Sequence, residues 1–87
     1  MDTVSIILTT RQCTGNNDVE ITGECEKNYN VLALYAVSGD IITMAKKCKG
    51  TLIPWTKEKA IMQFCLAIRF ESEEDKKEFL RRLPNMA

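Results

Sequence analysis

Near the end of the chain, residues from Ala60 to Phe70 alternate in character. Met62, Phe64, Leu66, Ile68 and Phe70 fall on one side, and Ile61, Gln63, Cys65, Ala67 and Arg69 on the other. A period of two predicts a strand with one face in the core. The run passes into Ser72-Glu73-Glu74-Asp75. There the serine hydroxyl suits an N-cap, and the three acids suit the positive end of a helix dipole. Phe79, Leu80 and Leu83 supply the apolar stripe of that helix, Arg81 and Arg82 suit its last turn, and Pro84 stops it near Leu83.

Upstream, Thr3 to Thr10 reads as a strand with Val4, Ile6 and Leu8 on one face. Thr14-Gly15-Asn16-Asn17-Asp18 is a turn cluster. Val19, Ile21, Gly23 and Cys25 then alternate with Glu20, Thr22, Glu24 and Glu26, as in an antiparallel strand with one wet face. After a turn at Lys27-Asn28, Tyr29 to Val37 is almost continuously apolar and is expected to be a central strand. Ser38-Gly39-Asp40 reads as a hairpin and Ile41 to Ala45 as the return strand. A helix over Tyr29–Lys47 is the alternative, with Leu32, Tyr35, Ala36 and Ile42 at helical spacing. Gly39 and the β-branched content favour strand. Lys46 to Gly50 is expected as a loop, Thr51 to Trp55 as a short edge strand limited by Pro54, and Thr56 to Lys59 as a turn.

These elements predict a mainly β, α+β domain. Its expected form is a small, partly open antiparallel barrel or orthogonal sandwich of about six to seven strands, with one C-terminal capping helix. The 87 residues form one domain. Pro84-Asn85-Met86-Ala87 reads as chain leaving it, so the domain is expected to be the amino-terminal part of a longer protein.

Residues Cys65 to Phe79 resemble the last strand and helix of the pleckstrin-homology superfold. The likeness is closest to Ran-binding domains, whose final strand reads Leu-Ala-Ile-Arg-Phe before a Glu-rich helix containing Phe. It covers about a fifth of the chain, which is shorter than a seven-stranded member, and nothing upstream matches the elements that contact Ran. The resemblance implies a pleckstrin-homology-like fold and an interaction role. By the same analogy a phosphoinositide site needs basic residues between the first two strands, where only Arg11 stands. Polyproline reading needs clustered aromatics; Tyr29, Tyr35 and Trp55 form no clear triad, and Tyr35 is expected in the core.

An apolar content of 45% supports a packed core, and no apolar run approaches the roughly 20 residues of a membrane span. Met1-Asp2-Thr3 lacks the basic region of a signal peptide, so the chain is expected to be intracellular, in cytoplasm or nucleus. Cys13, Cys25, Cys48 and Cys65 are widely spaced and are expected to be free thiols. With no histidine and no Cys-x-x-Cys, neither a metal nor a cofactor is expected. There is no Gly-x-Ser-x-Gly, the glycines are isolated, and capping explains Glu73, Glu74 and Asp75, so no enzyme is expected.

Net charge is zero but unevenly spread. Residues 1–45 hold two basic and six acidic side chains, residues 46–70 six basic and one acidic, and the remainder four basic and five acidic. The basic island is Lys46, Lys47, Lys49, Lys57, Lys59 and Arg69, and its five lysines around Trp55 could take nucleic acid or phosphate. Against that, neutral overall charge favours lysines that blunt a sheet edge and a tryptophan in the core. The favoured expectation is a non-catalytic interaction module, binding another protein or a second copy through a sheet edge or the apolar strand. Tyr29, Leu32 and Leu34 are its candidate contact residues.

Overall fold

A computed structural model describes residues 5–12, 17–53 and 63–85. The described chain runs β1 (Ser5–Gln12), β2 (Asp18–Lys27), α1 (Val31–Lys47), β3 (Gly50–Leu52), β4 (Gln63–Phe70) and α2 (Glu73–Arg82), followed by a 3-10 turn, Leu83–Asn85. The strands make one antiparallel sheet in the order β1-β2-β4-β3. β2 and β3 therefore run parallel, joined by α1, and β4 inserts between them.

This corrects the expected architecture. The described sheet has four strands and open edges, with two helices, and is neither a six- to seven-stranded barrel nor an orthogonal sandwich. The strand expected over Tyr29–Val37 and its return over Ile41–Ala45 are instead the single helix α1. Asn30 starts it: the side-chain Oδ1 accepts from the Ala33 N–H at 3.1 Å. Leu34, Val37, Ile41, Met44, Ala45 and Cys48 then recur every three or four residues and join the core, which is helical periodicity. Gly39 makes no hairpin; it sits on the exposed side, where an added Cβ would meet nothing within 4 Å. The turn chemistry of Ser38 and Thr43 is absorbed by the helix, their hydroxyls donating to the carbonyls of Tyr35 and Gly39. α1 ends where Lys49 takes a left-handed φ of 63° and its N–H bonds the Lys46 carbonyl.

Both helices cover one face of the sheet. That face carries Ile6 and Leu8 from β1, Val19, Ile21 and Gly23 from β2, and Phe64, Ile68 and Phe70 from β4. Leu34, Ile41 and Ala45 of α1 and Phe79 of α2 complete the core; the Phe70 and Phe79 ring centroids lie 5.0 Å apart. On α2, Lys76 lies buried one turn before Leu80, its methylene stem extending the apolar stripe. Ser72 caps α2 as its sequence implies, its Oγ accepting from the Asp75 N–H at 3.2 Å. The edge strand expected over Thr51–Trp55 is β3 as far as it is described; Pro54, Trp55 and the turn over Thr56–Lys59 lie outside the described residues.

The other face is wet, and its cross-strand pairs fix the register. Asp18 faces Arg69, and the guanidinium donates to both carboxylate oxygens at 2.8 and 2.9 Å. At the far end Gln63 Nε2 donates to Glu24 at 2.7 Å, and between them Thr22 Oγ1 and Cys65 Sγ lie 3.7 Å apart.

Gly23 is required by the core: a Cβ there would stand 2.2 Å from Cε2 of Phe64, its cross-strand partner. Gly23→Ala is expected to destabilise the fold by about 1–3 kcal/mol, and by clearly less in a Phe64→Leu background. Equal costs in both backgrounds, measured by urea unfolding, would refute the clash. Ser72→Ala is expected to cost about 1 kcal/mol, read in the same assay.

Candidate interaction site

α1 sorts the proposed contact residues onto opposite sides. Leu34 is buried core and is removed from the candidate surface. Tyr29 and Leu32 are exposed, Tyr29 just ahead of the cap and Leu32 in the first turn of α1 rather than on a strand. Val31 and Tyr35 join them, and Tyr35 is not in the core where it was expected. Fractional exposures of Tyr29, Val31, Leu32 and Tyr35 are 44%, 41%, 74% and 68%. Further along the same outer side come Ala36, Gly39 and Thr43, all small and exposed. From Tyr29 to Thr43 the only charged residue is Asp40.

α2 shows what an ordinary solvated helix looks like in this protein. Its outer side carries Glu73, Lys77, Glu78, Arg81 and Arg82, joined by ion pairs one turn apart. Arg81 and then Arg82 donate to the Glu78 carboxylate and hold its pKa at about 2. α1 has no such lattice over its first three turns.

Four members of the basic island lie among the described residues. Lys46 and Lys47 are exposed in the last turn of α1, where positive charge complements the helix dipole, and Lys49 follows in the turn. Arg69 lies on the wet face of the sheet, locked to Asp18. Trp55, Lys57 and Lys59 lie outside the described residues.

Grooves lined by described residues flank the sheet. One, of about 460 Å³, lies between β1 and α2 and is lined by Leu8, Thr10, Gln12, Leu80, Leu83 and Pro84. Another, also about 460 Å³, runs beside β3 and includes Leu52, Ile53, Arg69 and Phe70. Cys25, Cys48 and Cys65 are free thiols, while Cys13 lies outside the described residues. Among the described residues no three His, Cys, Asp or Glu side chains are grouped to hold a metal, and no helix is long and apolar enough to cross a membrane.

No family model, curated protein or solved structure matches this chain. Two features of the surface escaped the sequence. Val31 reads as core in a strand, and Arg11 on β1 gains meaning only once β1 is known to be an edge. The signal for the first was the Asn30 cap.

The Asp18–Arg69 pair makes stability depend on acid. The Arg69 hydrogen bonds outweigh desolvation and hold the Asp18 carboxyl below its usual 3.8. A lowered carboxylate pKa stabilises the fold above the unfolded value, and the contribution is lost as pH falls through the folded one. Arg69 is largely exposed, so solvent screening keeps the effect small. Between pH 5 and pH 2, Asp18→Asn is expected to lose less stability than the unmodified protein. Parallel curves in thermal melts across that range would show the pair contributes nothing.

Proposed function

We propose that this chain is a non-catalytic protein-interaction module, docking the outer face of α1 against an amphipathic helix of another protein. The supporting observation is the contrast between its two helices. α2 presents ion-paired residues to solvent, whereas α1 and the residue ahead of its cap present Val31, Leu32, Tyr35 and Tyr29 with a single charge, Asp40, nearby. A surface helix ordinarily opposes its apolar stripe with a polar one. Leaving large apolar side chains exposed as a contiguous patch marks a contact surface.

The shape of the patch supports a helical partner. Leu32, Ala36, Gly39 and Thr43 follow one another along the outer side, a length of about 16 Å at the helical rise. The small residues lower the surface beside the bulky Leu32 and Tyr35, so a second helix can approach closely over the small residues and be gripped at the bulky end. The tyrosines offer broad apolar area with a polar tip, the composition of contact centres. The absence of histidine and of any acid–base constellation in the sequence supports a binding role over a catalytic one.

Capture from native extract with the unmodified protein, a Leu32→Glu/Tyr35→Lys variant and a Lys77→Glu control tests this. The expected result is a partner retained by the unmodified protein and the control but lost by the double variant, whose melting temperature stays within a few degrees because both residues are exposed. Equal capture by all three, or no capture by any, would overturn the reading. So would tight nucleic-acid binding in mobility-shift assays that falls steeply with salt and disappears on replacing Lys46, Lys47 and Lys49 with Ala.

A further inference from the structure

We infer that two copies of this chain pair through β1, edge to edge and antiparallel, joining their sheets into one. The observation is an edge strand that lacks the usual protection and whose pattern complements itself. β1 spans eight residues, Ser5–Gln12, and pairs only with β2 among the described residues. Alternate residues of an edge strand direct their N–H and C=O groups away from the sheet. Natural edges are blunted by lysine, proline or inward charge. β1 has no lysine, proline or inward charge, its ladder with β2 is irregular only between Ser5 and Ile6, and Ser5 to Thr10 carries no charge and four β-branched residues, Ile6, Ile7, Thr9 and Thr10.

A second copy fits this edge in one register. Antiparallel pairing about a two-fold axis at Leu8 sets Leu8 against Leu8 of the second copy, Ile6 against its Thr10, and Ile7 against its Thr9. Core-facing residues then meet core-facing residues, as a shared sheet face requires. The same register sets Arg11 against Ser5 of the second copy. Arg11 is the only charged residue on β1, is exposed, and forms no ion pair among the described residues. Ser5 Oγ donates to Glu26 Oε2 at 3.1 Å, which holds a carboxylate beside the position where that guanidinium arrives. Directly opposed residues have Cβ atoms about 5 Å apart, well within the reach of an arginine. The two-fold axis supplies this contact twice.

The groove between β1 and α2 adds to the fit. Its walls, Leu8, Thr10, Gln12, Leu80, Leu83 and Pro84, are uncharged. The core-facing Ile6, Leu8 and Thr10 of the arriving strand continue its apolar floor, and the two grooves meet across the seam. Two four-stranded sheets become one of eight strands, and both β1 edges are satisfied. This contact is separate from the outer face of α1.

Sedimentation equilibrium on the unmodified protein, Arg11→Glu, Glu26→Arg and the double exchange tests the pairing, with thermal melts confirming that each variant folds. A concentration-dependent dimer is expected, weakened roughly tenfold or more by either single change as both symmetric contacts turn repulsive, and restored by the exchange. Arg11 and Glu26 lie at opposite ends of the β1–β2 ladder, so the two changes cannot compensate each other within one chain; Arg11 faces Glu20 across that ladder, and the thermal melts read any cost of Arg11→Glu there. A monomer at all concentrations would overturn the inference, as would a dimer indifferent to Arg11→Glu or one the exchange fails to restore. A dimer lost instead in Leu32→Glu/Tyr35→Lys would place self-association on α1 and overturn the edge pairing, leaving the two surfaces distinguishable.

Discussion

The pairing of β2 with β4 carries the fold. β1 and β2 form a local hairpin, and β3 is a three-residue strand; among the described strands β4 is the one that pairs with both β2 and β3. Val19 opposite Ile68 and Ile21 opposite Leu66 form the floor on which both helices rest. A slip of one residue would turn that floor out to water, because strand side chains alternate faces. Three devices oppose the slip: the forked Asp18–Arg69 contact at one end, the Gln63–Glu24 hydrogen bond at the other, and the Phe64 ring seated over Gly23 between them. The ring needs the missing side chain, so size complementarity in the core and polar complementarity on the wet face specify the same alignment.

The two helices meet different demands with different means. α2 is short, with an outer side so charged that its apolar side must face the sheet. α1 is longer and less amphipathic; Leu34, Ile41 and Ala45 seat it, yet its opposite side is uncharged near the start. Burial alone would not require Leu32 or Tyr35 to be large and apolar, since neither contributes to the core. Their presence is what sets α1 apart from a helix selected only to cover a sheet.

Much of this was legible in the chain, and the exceptions have physical causes. The alternation ending at Phe70 and the cap at Ser72 agree with β4 and α2 because local propensity, periodicity and tertiary context point the same way there. In α1 they conflict. Val31, Val37, Ile41, Ile42 and Thr43 favour strands, and Ser38-Gly39-Asp40 has the composition of a hairpin. Packing overrode both, through a spacing visible only when Leu34, Val37, Ile41, Met44 and Cys48 are counted together. The same conflict decides which residues reach the surface. A strand over Tyr29–Val37 puts Leu32 and Leu34 on one side and Tyr35 on the other, while the helix turns Leu34 inward and brings Tyr35 beside Leu32.

The topology also bears on how the molecule is made. β4 lies in the interior of the sheet, yet it is the last of the described strands in sequence, Gln63–Phe70. During synthesis the hairpin, α1 and β3 all leave the ribosome before the strand that unites them exists. Until then β2 has an open side, the apolar floor lacks its second half, and α1 has only part of a surface to rest on. Stop codons or frameshifts ahead of Gln63 would therefore release chains that keep most of the elements but cannot assemble them. Such products would be matters for chaperones and proteases rather than partly working proteins.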